Sequence, residues 1–267
     1  MKKILIAGGD SYTDGRYGLY KQLGIKAWPE LLAAKNNYEV VNTATAGCSN
    51  RHIFNSITDQ IIKHLEKDII VVVSWSEICR LSFIDDTYLD KAFFLIGDKD
   101  YHERKKVSQT MANFFDSLNP IREEIIKFLK IDETFNARLI RQTYKTMWLL
   151  QNFCHGYSIP FYHVNTFDMF EVQAEFTEHH SQNMNILYES LYYNKVKNNA
   201  YYMGNKYCLY NDIEKQNLFI EYEGKLNLHP NQEGHQLISD TIDNFIKTGI
   251  KPQPNVYENN MPYRIMR

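Results

Sequence analysis

Residues 69–73 read Ile-Ile-Val-Val-Val, five β-branched residues in a row with no polar face. A strand that is apolar on both sides has to be covered on both sides, as an inner strand of a parallel sheet is. The flanking sequence supplies the covering helices. Ile53, Ile57, Ile61 and Leu65 recur every fourth residue, the buried stripe of an amphipathic helix, and Ala27 to Ala34 set Trp28, Leu31 and Leu32 on one side of another. Lys3 to Ala7 and Tyr38 to Val41 read as further short strands, the second ending at Asn42. Strands alternating with helices imply right-handed crossovers and a doubly wound, mainly parallel sheet in a three-layer α/β/α sandwich. In such sheets ligands gather at the carboxyl ends of the strands. Ser11, Gly47 and the stretch Ser74-Trp75-Ser76-Glu77 all fall at those ends.

The alternation breaks between about residues 85 and 157, where charged, mostly helical segments are expected around Val107–Leu118, Ile121–Leu129 and Phe135–Asn152. They read as a helical insertion running into the helix before the next strand, Ile159 to Val164. Residues 175–215, rich in Asn, Tyr and Lys, carry no assignable period. Pro230 to Ile246 fits a final helix, with proline in the first turn and Leu237, Ile238, Ile242, Phe245 and Ile246 on one face. The expected organisation is one domain over residues 1–250 and an extended tail over 251–267, whose prolines suit it to lie along another surface and to join copies of the chain into an oligomer.

Composition removes several function classes. A formal charge of -2 over 267 residues offers no electrostatic attraction for nucleic acid or an anionic membrane, so neither is an expected partner. No apolar run approaches the roughly 20 residues that span a bilayer. Met1-Lys2-Lys3 resembles the start of an export signal, but the short apolar stretch after it runs straight into a Gly-Gly-Asp-Ser turn, so a cytoplasmic protein is expected. Cys48, Cys79, Cys154 and Cys208 lack metal-site spacing and read as free thiols, with a disulfide as the alternative. No metal or organic cofactor is expected.

Chemistry enters at the two ends of the chain. Ile4-Leu5-Ile6 leads into Gly8-Gly9-Asp10-Ser11-Tyr12-Thr13-Asp14-Gly15, which exposes a serine at a strand-to-loop turn; far downstream, His229 precedes Pro230-Asn231 and Gly234-His235. A serine with a distant histidine as its base is the minimum for nucleophilic acyl transfer. The expectation is that the fold brings Ser11 and His229 within or near hydrogen-bond reach. Taken alone, Gly-Asp-Ser is also ordinary loop punctuation, and Gly47 an ordinary loop glycine.

Taken together and in order, Gly9-Asp10-Ser11 with Asp14-Gly15, Asn42 with Gly47, and His229-Pro230-Asn231 with Gly234-His235 resemble the conserved blocks of the SGNH (GDSL) hydrolases. The resemblance covers residues 1–80 and 220–247, about half the chain. It implies an SGNH or flavodoxin-like sheet, Ser11 as nucleophile, His229 as base, and an oxyanion hole built from the N–H groups of Ser11 and Gly47. Two positions depart from the pattern. The asparagine of the third block is absent from Ser74-Trp75-Ser76-Glu77, which leaves the Ser76 hydroxyl as the stand-in donor. The aspartate that orients the histidine is also absent. Its positions hold Leu226 and Asn227, so Asn227 is the expected orienter, with Glu221, Glu223 or Glu77 as spatial alternatives.

Trp75 and Glu77 are expected to wall a substrate pocket, although plain packing of Trp75 and pairing of Glu77 with Arg80 fit the same spacing. Asp10 reads as a turn-fixing residue. Glu175, Glu178, His179 and His180 suit a solvated stretch better than a metal site, and His102 to Lys106 an exposed helix face. The expected activity is a serine esterase or deacetylase acting on a small or carbohydrate O-acyl ester. The rival, favoured by the missing asparagine and aspartate, is a catalytically degenerate protein of the same fold with a binding or structural role, for instance in a virion; the third block and the helical insertion resemble virus-encoded relatives.

Overall fold

The computed structural model describes residues 2–78, 80–82, 93–95, 134–167, 190–204 and 207–255. Its centre is a four-stranded, all-parallel sheet in the order β2 (Glu39–Asn42), β1 (Ile4–Gly8), β3 (Ile69–Trp75), β6 (Phe161–Asn165). β1 registers Ile4 on Glu39 and Ile69, and β3 registers Val71 on Phe161. The helices are α1 (Gly18–Leu23), α2 (Trp28–Asn36), α3 (Asn50–Lys63), α4 (Thr134–Gly156), α5 (Leu191–Lys197), α6 (Leu209–Lys215) and α7 (Gln232–Thr248).

Alternation along each strand divides the interior into two cores. Ile4, Ile6, Val71, Val73 and Trp75 face α3, α4 and α5, meeting Ile53, Ile57, Ile61, Tyr144, Met147 and Val196. Leu5, Ala7, Ile70 and Val72 face α2, α6 and α7, meeting Trp28, Leu32, Ile213, Ile238, Ile242 and Phe245. This is the three-layer, doubly wound α/β architecture, with the sheet buried on both sides. Each fully buried Ile, Val or Leu contributes roughly 1.5–3 kcal/mol of hydrophobic transfer energy, which is why the period in these segments was readable.

Three elements differ from expectation. Pro230 ends a strand, because Asn231 caps α7 by accepting a hydrogen bond from the Gly234 N–H at 2.8 Å, so the helix starts at Gln232. That strand, β8 (Lys225–Pro230), pairs antiparallel with β7 (Phe219–Tyr222). Glu223 and Gly224 join them with φ of 53° and 69°, the left-handed pair of a two-residue hairpin turn. The stretch that reads as a helical insertion from about residue 85 holds a short strand, β5 (Phe93–Leu95), paired antiparallel with β4 (Arg80–Ser82) just before it. The expected helices at Val107–Leu118 and Ile121–Leu129, and the Glu175–His180 cluster, lie outside the described residues. Through Asn255 the tail lies on its own chain: the Asn255 amide accepts from the Cys208 N–H at 3.0 Å and donates to the Cys208 carbonyl at 2.8 Å. Among the described residues no helix is long and apolar enough to cross a membrane. Cys48 and Cys154 are free thiols buried in the core, and Cys208 is buried as well.

Candidate active site

The turn after β1 is built around Gly9. A Cβ there would sit 2.2 Å from Thr13 Oγ1 and 3.1 Å from the Ser74 carbonyl, so only glycine lets the chain fold back against β3. The Asp10 carbonyl then accepts the N–H groups of Thr13 and Asp14, each at 2.9 Å, and Asp10 Oδ1 accepts that of Tyr12 at 3.0 Å. Ser11 is held inside this turn at 8% exposure. Asp10 is fully buried, and its Oδ2 accepts from Ser76 Oγ at 2.8 Å and from Arg80 Nη1 at 3.0 Å. Arg80 Nε in turn donates to Glu77 Oε2 at 2.8 Å, and the guanidinium lies 5.4 Å from the centre of the Phe167 ring. Burial opposes the charge on Arg80, but the carboxylates of Glu77 and Asp10 more than offset it, and its pKa moves up.

The loop after β2 is laced to this turn. Thr45 N–H and Cys48 Sγ donate to the Gly9 carbonyl at 3.1 and 3.2 Å, Ala46 N–H donates to Asp14 Oδ2 at 3.2 Å, and Arg16 Nη2 donates to the Ala44 carbonyl at 2.6 Å. Asn42 adds a bond from its amide to the Thr13 carbonyl at 2.7 Å. Gly47 occupies this loop at φ 77°, a left-handed conformation suited to glycine. No described residue accepts a hydrogen bond from the backbone N–H of Ser11 or Gly47.

His229 arrives from the other end of the sequence on β8. Tyr12, next to Ser11 in the chain, donates its hydroxyl to the Leu228 carbonyl at 2.6 Å across 216 residues, and its ring lies 5.8 Å from the His229 ring. Asn227 Oδ1 accepts the His229 N–H at 3.1 Å and lies 2.6 Å from His229 Nδ1. A backbone N–H only donates, so the amide atom facing it is the oxygen, and Nδ1 must carry a proton to bond to it. In the neutral ring that leaves the lone pair on Nε2, the tautomer a general base needs. Tyr17 stacks on the imidazole at 4.3 Å with 21° between planes, and Tyr20 meets it edge-on at 6.3 Å. Behind Tyr20 lies His235, fully buried, its pKa pushed down to about 3 by burial and then by the neighbouring His229, so it stays neutral.

Several expected site residues have other partners. Trp75, expected as a pocket wall, is fully buried in the core and donates its indole N–H to His163 Nδ1 at 3.1 Å, because the last residue of β3 points to the α3–α4 side. Ser76, expected as an oxyanion donor, has its hydroxyl committed to Asp10. Glu77 pairs with Arg80, and Glu221 and Glu223 are exposed on the hairpin. Sequence reasoning missed Arg80 as the partner of Asp10, Tyr12 as the bridge to β8, and Tyr17 as the ring on His229. The spacing of Tyr17 and Tyr20, three apart, was the available signal, but its meaning depended on a strand two hundred residues away. Among the described residues no cluster of His, Cys, Asp and Glu is arranged to hold a metal. A shallow cavity of about 340 Å³ lined by Leu65, Asp68, Tyr157 and Pro160 lies at the amino ends of β3 and β6, the end of the sheet away from Ser11.

No family model matches the chain, and no curated protein matches it in sequence. Solved structures with a similar fold include a psychrotrophic esterase from Pseudoalteromonas, 13% identical, with 92% of this chain covering 97% of that one at a TM-score of 0.44. A lipase from a goat rumen metagenome is 12% identical over 94% and 98% of the chains, with a TM-score of 0.46. A GDSL-like lipase from Bacteroides thetaiotaomicron is 12% identical over 93% and 89%, with a TM-score of 0.42.

Proposed function

We propose that the chain is an SGNH-type serine hydrolase that cleaves a carboxylic ester, with a small or carbohydrate O-acetyl ester as its substrate. The observation that carries this reading is the Asn227–His229 pair beside Tyr12: it supplies the ring tautomer a base requires, on a strand tied to the residue following Ser11. Ser11 Oγ attacks the acyl carbon while His229 Nε2 takes its proton, and the carbonyl π electrons move onto oxygen. The N–H groups of Ser11 and Gly47 hold that oxyanion. Collapse of the intermediate expels the alcohol, which takes its proton from His229, and water then releases the acid by the same steps in reverse order.

Asn227 orients the ring without adding charge, so the imidazolium is less stabilised than beside a carboxylate. The hole has two backbone donors, since Ser76 is engaged with Asp10. A missing donor costs roughly 10²–10³ in rate elsewhere, so turnover is expected to be slow. That engaged hydroxyl favours a second reading, a degenerate hydrolase that binds a ligand without turning it over. The deciding experiment is covalent labelling with a fluorophosphonate together with hydrolysis of an aryl acetate over about pH 6 to 9. The hydrolase reading expects label on Ser11 and loss of both signals in Ser11→Ala. Wild-type protein that neither labels nor hydrolyses moves the assignment to the binding protein.

A further inference from the structure

Resting on that hydrolase reading, we infer that Tyr17 is a positioning residue for the base: its ring face sets the plane of the His229 imidazole and stabilises the positive charge that appears there when Ser11 gives up its proton. Three observations carry this. First, among the described rings around His229 it is Tyr17 that is stacked, at 4.3 Å and 21°; Tyr12 is tilted at 40° and Tyr20 stands at 79°. A cation within about 6 Å of an aromatic face is attracted by the ring quadrupole, and the stacked geometry is the one that presents the face. Second, the residue 2.6 Å from Nδ1 is the neutral Asn227, which does not itself give an imidazolium the charge compensation that a carboxylate in its place would. Third, Tyr17 is fixed independently of His229. Its N–H donates to the Asp14 carbonyl at 3.0 Å, it sits at the N-cap of α1, and its ring packs edge-to-face on Tyr20 at 5.0 Å. The stack is therefore imposed by the turn that carries Ser11, and it couples the two halves of the site.

Among the described residues, Tyr12, Tyr17 and Tyr20 face this ring from the N-terminal segment. The charges of Asp10 and Asp14 act on Tyr20, and His235, on α7, meets the Tyr20 ring edge-on. His235 is held neutral by burial, so it adds no charge next to His229 near neutral pH.

The test is an NMR titration of the His229 ring, with its signal assigned by its loss in His229→Gln, in wild type, Tyr17→Phe and Tyr17→Leu. A group that stabilises the charged form raises the midpoint, so removing the π face lowers it. Tyr17→Leu is expected to drop the midpoint by roughly half a pH unit, while Tyr17→Phe, which keeps the face, leaves it within error. In the same variants kcat toward an aryl acetate falls about threefold in Tyr17→Leu with KM unchanged, and recovers in Tyr17→Phe. A midpoint that stays put or rises in Tyr17→Leu overturns the inference, and so does an equal drop in Tyr17→Phe, which would assign the effect to the hydroxyl. The titration needs no turnover. An inert wild-type protein with a shifted midpoint therefore overturns the hydrolase reading alone, and an active protein with no shift overturns the role of Tyr17 alone.

Discussion

The two halves of the candidate site are built on opposite principles. The Ser11 turn is buried throughout, with Asp10 and Thr13 at 0% exposure and Asp14 at 7%, and it is cross-tied to β2, β3 and the Arg80 segment by backbone and charged hydrogen bonds. The His229 strand belongs to a two-stranded hairpin whose outer residues Lys225 and Leu226 are exposed, Leu226 at 58%. It reaches the rest of the site through the Tyr12 hydroxyl and the Tyr17 ring. Paired hairpins are marginal by themselves, whereas the inner strands of a covered sheet belong to the most stable unit of a domain. The nucleophile side is therefore expected to govern stability, and the base side to govern rate with little effect on stability.

The sharpest way to break this contrast is Arg80→Met. It leaves the Asp10 carboxylate buried with Ser76 as its remaining side-chain donor, and an uncompensated buried charge costs about 3–5 kcal/mol. Chemical denaturation should show that loss, and a change below about 1 kcal/mol would mean that the turn is not held by this charge network.

A middle-sized effect is expected on the base side, where the sign of two substitutions discriminates. Asn227→Asp should preserve or raise kcat, because a carboxylate holds the same proton and also stabilises the imidazolium. Asn227→Leu should lower kcat by at least roughly tenfold while the denaturation midpoint barely moves. An unchanged kcat would remove Asn227 from the site, and a large loss of stability would show that the hairpin is more than a support for His229. The smallest effect belongs to the bridge between the halves. Tyr12→Phe removes one hydrogen bond to the Leu228 carbonyl and should cost about 1 kcal/mol. In a double-mutant cycle with Asn227→Leu on kcat, the two changes should be non-additive if Tyr12 transmits the position of β8 to the site.

The parts of the site that were legible in the sequence are those governed by local rules. Gly9-Asp10-Ser11 announced a turn because glycine and aspartate have short-range reasons to be in one, and the structure adds that Gly9 is required by Thr13 and Ser74. Asn227 was readable as the candidate holding His229 through the resemblance, which expects an orienting residue two or three positions before the histidine; the structure adds that both lie on β8, two residues apart and so on one face. Glu77 and Arg80 were readable as a pair at a spacing of three. The hairpin was missed although Glu223-Gly224 is a turn signal, because Pro230 reads equally well as the first residue of a helix. Between the pocket wall and the packing role that the sequence left open for Trp75, the structure takes packing, because a position at the end of β3 does not say which side of the sheet a residue faces; Ser76 stays beside the turn with its hydroxyl on Asp10.

By itself the sequence determined the layered α/β architecture and the strand ends where ligands collect, since periodicity and turn chemistry are sums of interactions within a few residues; the choice of Ser11 and His229 as the proposed pair came from the resemblance of short motifs. Only the tertiary structure decided what surrounds them. Arg80 reaches Asp10 across 70 residues, Tyr12 reaches Leu228 across 216, and Tyr17 is stacked on His229. Contacts of that range depend on how the crossovers and the hairpin dock. Their partners leave no periodic trace in the chain, because a tyrosine that will stack on a histidine is spelled the same as one that will pack in a core.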